Sequence, residues 1–169
     1  MEPGFQDNLV RKLAGFLNGI GLEVIPGRVQ GETFLPGIEV RDGRLIVDEP
    51  RLLYPGDLLH EAGHLAVMSG AMRKGLNGNL MESGADPGLL EVAAIAWSYA
   101  ACIHLGMDPG IVFHPAGYHG KSAALLLGFS LGVYPGVNQL QSAGLAVAGA
   151  EARAAGVPPY PHILKWVRD

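Results

Sequence analysis

Apolar residues recur at two different periods along this chain, and the changes of period mark its elements. Between residues 7 and 19, Leu9, Leu13, Phe16 and Leu17 fall at helical spacing, which predicts an amphipathic helix closed by Gly19 and Gly21. Residues 22–25 read as a short strand, closed by Pro26-Gly27. In GIEVRDGRLIVDE the period drops to two. Ile38 and Val40 alternate with polar neighbours, Asp42-Gly43 is a type I′ turn dipeptide, and residues 44–47 run back as the second arm of a hairpin. Pro50 and Pro55-Gly56 break this pattern. A helix is predicted from near Asp57 to about Ser69, followed by a Gly/Asn-rich stretch of loop and short turns over 70–88.

Asp86-Pro87 is a helix-start signal, and a long apolar helix over 88–105 should follow, closed by Gly106. Residues 107–122 are turn-rich. Two further apolar helices are predicted over 122–132 and 137–148, separated by Tyr134-Pro135-Gly136, with a last short helix over 162–167. The pattern predicts one α+β domain over 1–169: a small antiparallel sheet or hairpin, then a mainly helical body.

Composition narrows the picture. The 169 residues are 49% hydrophobic and 17% charged, a globular balance with enough chain for a core. A net charge of −4 with scattered Lys and Arg gives no electrostatic footprint for nucleic acid. Residues 89–106 and 123–134 are the candidate membrane segments. The first carries Glu91 and His104 and the second is too short, so both read as buried helices and no span is expected. The N-terminus lacks the basic and apolar regions of a secretory signal, and Cys102 is the single cysteine. A cytoplasmic location is the expectation, with Cys102 a core residue rather than a nucleophile.

The chemistry concentrates in His60-Glu61-Ala62-Gly63-His64. On a helix, residues i and i+4 share a face, so both imidazoles can reach one metal ion, with Glu61 beside the first ligand to take a proton from a metal-activated water. HExxH arises by chance in about one chain in a hundred of such composition, and the apolar helical context around it is what a catalytic motif needs. Gly63 costs about 1 kcal/mol against Ala inside a helix, which points to a close approach by a backbone or a substrate.

The segment resembles the active-site helix of the zincin metallopeptidases. The residues after His64 carry no third histidine in metzincin register, which disfavours that branch, and the segment is more similar to the gluzincin branch. There a glutamate on a later helix completes the zinc site, and Glu91-Val92-Ala93-Ala94 fits its E-x-x-A context. Hairpin, HExxH helix and glutamate helix over roughly residues 35–105 are similar to small ImmA/IrrE-type metallopeptidase modules. The resemblance implies Zn2+ held by His60, His64 and Glu91, Glu61 as general base, and a peptide or protein substrate lying along the outer strand of the hairpin.

Glu91 also stands out without the resemblance, as an ionisable group in a helix of Leu, Val, Ala, Ile and Trp. A first-turn carboxylate that favours the helix dipole is the competing reading. Glu82 and Asp86 are rival ligands. His114, Tyr118 and His119 form a second concentration, as donors to a developing oxyanion, as a ligand in the case of one histidine, or as plain loop residues. His104 and His162 read as structural. Gly120-Lys121-Ser122 has Pro115 where a phosphate loop needs glycine. Two functions emerge: a zinc-dependent peptidase-like hydrolase, or a metal-binding regulatory or interaction domain without peptidase activity. A membrane-embedded protease would need real spans.

Overall fold

A computed structural model of the chain describes residues 4–78, 84 and 86–169. It is α+β, as the pattern predicts. Helix α1 (Asn8–Gly19) starts at Asp7, whose carboxylate accepts from the Leu9 and Val10 N–H groups, and it buries Val10, Leu13, Ala14 and Leu17. Strands β1 (Val24–Pro26), β2 (Ile38–Arg41) and β3 (Arg44–Val47) follow. β2 and β3 form the expected hairpin, with Arg41 opposite Arg44 and Asp42 and Gly43 both at positive φ (50° and 72°), as a type I′ turn requires.

The sheet is mixed rather than antiparallel. β1 lies parallel to β3 on the side away from β2, giving the order β1-β3-β2. Period alone does not specify a strand's partner: residues 27–37 pass from the end of β1 to the start of β2 at the Val47 end of the sheet, and β2 then makes the return that lets β3 run parallel to β1. β2 is therefore the edge, and its Glu39 and Arg41 backbones pair with β3 while Ile38 and Val40 point their backbone groups outward. Part of that outer edge is already engaged: Gly78 N–H donates to the Val40 carbonyl (2.8 Å) and Ile38 N–H to the Leu35 carbonyl (3.1 Å). Among the described residues, no backbone group reaches the Val40 N–H or the Ile38 carbonyl.

Helix α2 (Asp57–Val67) carries the HExxH segment and is buried at every position except Glu61, which is half-buried. It stops two residues short of the expected end because Ser69 caps a separate helix, α3 (Gly70–Lys74), inside the stretch read as loop. Helix α4 (Pro87–Leu105) starts at Asp86 as predicted and ends at Gly106 in the left-handed region. It is long and apolar enough to cross a membrane, with a mean hydropathy of 1.4, yet half of it is buried and it packs against α2 and α6.

The C-terminal third departs most from the predicted pattern. Helices α5 (Ser122–Ser130) and α6 (Val137–Ser142) are shorter than expected, α7 (Gly149–Ala155) is unforeseen, and residues 162–167 form bends and irregular backbone instead of a helix. Gly144 at φ 74° ends the α6 segment, and residues 145–147 then pair with the last stretch through Tyr160 N–H to the Val147 carbonyl and Leu164 N–H to the Leu145 carbonyl. Trp166 there meets Phe16, Trp97 and His104 edge-on, and its carbonyl accepts from the Trp97 indole. This tail ties α1 and α4 together, while Arg73 fastens the end of α2 by donating to the Leu65 and Met68 carbonyls.

Candidate metal centre

Among the described residues α2 and α4 share the most extensive helix contact, and Gly63 is what allows it. A Cβ on Gly63 would stand 3.0 Å from the Ala94 carbonyl oxygen and 3.1 Å from its Cα. Gly63 lies between the two histidines, and Ala94 lies one turn beyond Glu91. The close crossing therefore carries the Glu91 carboxylate to the histidine face of α2. Gly63→Val would force the helices apart, because its γ-carbons add to a position where even Cβ is too tight. The expected loss is about 1–3 kcal/mol of stability, as for an overpacked core. A denaturant midpoint unchanged from the parent protein would refute this role for Gly63.

The cluster that results is compact. Glu91 Oε2 lies 3.2 Å from His64 Nε2 and 3.4 Å from His60 Nε2, and the two Nε2 atoms are 3.1 Å apart. Tetrahedral bonds of about 2.0–2.1 Å, the range for small divalent ions on nitrogen and carboxylate oxygen, hold donor atoms about 3.3–3.4 Å apart. The triangle fits such an ion, and the three residues form a group that could hold one. The donor chemistry agrees, since the His60 ring has a partner for its other nitrogen, Tyr118 Oη at 3.0 Å from Nδ1, which leaves Nε2 free to face the cluster. Burial by itself would raise the Glu91 carboxyl, but hydrogen bonds and charge from His60 and His64 outweigh it and hold the group well below the usual carboxylate range.

Glu61 points to the same place. With His64 and Glu91 it lines a cleft of about 580 Å³ whose other wall is Ile38, Glu39 and Val40 of the edge strand, with Phe34, Leu35 and Leu90 adding apolar surface. Phe34 is 95% exposed at the mouth. Burial pushes the Glu61 carboxyl above its ordinary value; His64 partly offsets this, and the negative charges of Glu91 and Asp57 add to it.

The second concentration of candidates divides. Tyr118 reaches the cluster, but from behind: its hydroxyl sits on the Nδ1 side of His60, opposite the ring atom that faces Glu91 and His64. His119 is exposed in the same loop and, among the described residues, is not part of the metal-ligand group. His114 is buried away from the triangle, with Nε2 on Asp57 Oδ1 at 2.8 Å and its ring stacked on Tyr54 at 3.8 Å between centroids. Asp86 is committed to capping α4, accepting from the Gly88 and Leu89 N–H groups. Glu82 lies outside the described residues. The Cys102 thiol is buried and pushed up to about 12, so it is no nucleophile at neutral pH. Ser122, of the phosphate-loop-like segment, donates its hydroxyl to the His114 carbonyl instead.

Asp57 and Tyr54 were not singled out by the sequence. The one available signal was spacing: Asp57 precedes His60 by three residues and so shares its face of α2. Gly56 supports the arrangement, since a Cβ there would stand 1.9 Å from the Ile111 carbonyl oxygen, and this close approach brings the segment leading to His114 against the start of α2. No protein family matches the chain, and no characterised protein or solved structure is significantly similar to it.

Proposed function

We propose that the chain is a zinc-dependent, metallopeptidase-like hydrolase acting in the cytoplasm. The observation that carries this reading is the triangle of His60 Nε2, His64 Nε2 and Glu91 Oε2, with edges of 3.1–3.4 Å, beside a cleft that Glu61 also lines. Two imidazoles and one carboxylate are one of the donor sets of catalytic zinc sites, which keep one position open. Manganese or calcium would favour more oxygen. A zinc ion there would supply Lewis acidity, lowering the pKa of water toward neutrality and polarising a carbonyl. Glu61 would take the proton from the attacking water and later deliver it to the leaving amine. Its burial supports that role, because a carboxylate with raised basicity accepts a proton more readily near neutral pH.

A peptide substrate would meet the edge strand at the Val40 N–H and Ile38 carbonyl, with an apolar side chain against Leu35, Phe34 and Leu90. The engagement of the Val40 carbonyl by Gly78 and of the Ile38 N–H by Leu35 leaves little of that edge for a long extended peptide. This favours a second reading, a metal-binding regulatory or interaction domain, or a hydrolase for a shorter substrate.

Incubating the zinc-loaded chain with a diverse peptide library, before and after phenanthroline, separates the two. Hydrolysis that stops with the chelator and returns with zinc is the expected result. A zinc-loaded chain that cleaves no peptide would reject the peptidase reading and leave the binding-domain one.

A further inference from the structure

We propose that Tyr118 is the positioning residue of this metal centre, fixing the tautomer and orientation of His60 from behind; the proposal rests on the metal reading above. A neutral imidazole carries its proton on one nitrogen only. For Nε2 of His60 to present a lone pair toward Glu91 and His64, the proton must be on Nδ1, and Nδ1 then needs an acceptor. The Tyr118 oxygen stands 3.0 Å from it. The two rings meet edge-on, with centroids 5.3 Å apart and planes at 89°, and Phe113 braces the phenol from a centroid distance of 5.1 Å.

The backbone around Tyr118 is shaped for this contact. Tyr118 and His119 are consecutive non-glycine residues in the left-handed region, at φ 56° and 52°. That region is strained for a residue with a side chain, so the conformation persists only where its surroundings hold it. Here they do. Ser122 Oγ donates to the His114 carbonyl at 2.7 Å and Lys121 N–H donates to the Tyr118 carbonyl at 3.0 Å. The loop is pinned to α2 at two places one turn apart, His114 on Asp57 and Tyr118 on His60. His64 has no equivalent: its Nδ1 is buried without a partner among the described residues. Outer support for the histidine pair therefore falls on His60, and it comes from a tyrosine.

Tyr118→Phe keeps the ring packing and removes the acceptor. Zinc affinity, measured by chelator competition, should fall about 10–100-fold, the usual consequence of losing an outer partner of a metal-bound histidine. The visible spectrum of the cobalt-substituted protein should change with it, a readout that a purely structural role would not move. In the zinc-loaded parent protein, which needs no variant, nitrogen-15 NMR should show His60 protonated at Nδ1 with that proton slow to exchange. Equal metal affinity and an unchanged cobalt spectrum in Tyr118→Phe would overturn the proposal while leaving the metal site intact. A His60 ring that binds metal through Nδ1 would overturn it as well. A parent protein that binds no metal would overturn both readings together.

Discussion

Glu61→Gln should lower peptide hydrolysis by about 10²–10⁴-fold, the usual contribution of a positioned general base, while leaving zinc bound. Gln has nearly the same shape as Glu, so the cleft wall shared with His64 and Glu91 is retained. It cannot accept the water's proton. None of the three donor atoms of the triangle belongs to Glu61, so metal stoichiometry should not change. The folded protein should tolerate the change well, because Glu61 is a carboxylate whose burial already disfavours its charged form. Steady-state hydrolysis and metal content measured on one preparation decide the matter. Full activity in Glu61→Gln would remove the residue from the chemistry and take the proposed mechanism with it.

Glu91→Ala should instead weaken metal binding and spare the fold. Zinc binding to protein sites is worth at least about 10 kcal/mol at neutral pH, so one of three protein ligands carries roughly 3 kcal/mol, about two powers of ten in affinity. The Glu91 side chain is 45% exposed at the start of α4, where alanine is a good helix former, so the metal-free protein should unfold near the parent's midpoint. Chelator competition on both proteins gives the affinity ratio, and urea titration of both gives the stability. Equal zinc affinities would show that Glu91 is not the third ligand, and Glu82 would become the candidate to examine.

The parts of this molecule that could be read in the sequence are those specified locally. The hairpin is legible because Asp42-Gly43 and two alternating arms lie within ten residues, and the start of α4 because Asp86 and Pro87 are adjacent. His60 and His64 are legible because helical periodicity alone puts them on one face. Glu91 is ambiguous in the sequence because a carboxylate that favours the helix dipole and a metal ligand look alike there; α4 in fact starts at Pro87, which leaves Glu91 beyond the first turn, and the approach at Gly63 and Ala94 brings one of its oxygens beside two imidazoles.

What was hidden depends on contacts between distant segments. The parallel pairing of β1 with β3, the seating of His114 on Asp57 and the placing of Tyr118 behind His60 each join residues that no period connects. Tyr118 was noticed as a candidate, but a donor in the cleft and a support behind a ligand have the same residue type and the same loop context. In the C-terminal third, Gly144 divides what reads as one helix, and the pairing of 145–147 with the tail replaces helical structure with tertiary hydrogen bonds.

The central claim is that His60 and His64 hold a metal ion. Native mass spectrometry of the chain, loaded with zinc and then dialysed, compared with the His60→Ala/His64→Ala double variant treated alike, tests it directly. One zinc per parent chain and none in the double variant is the predicted result. A parent chain without zinc, or a double variant that retains it, would contradict the claim.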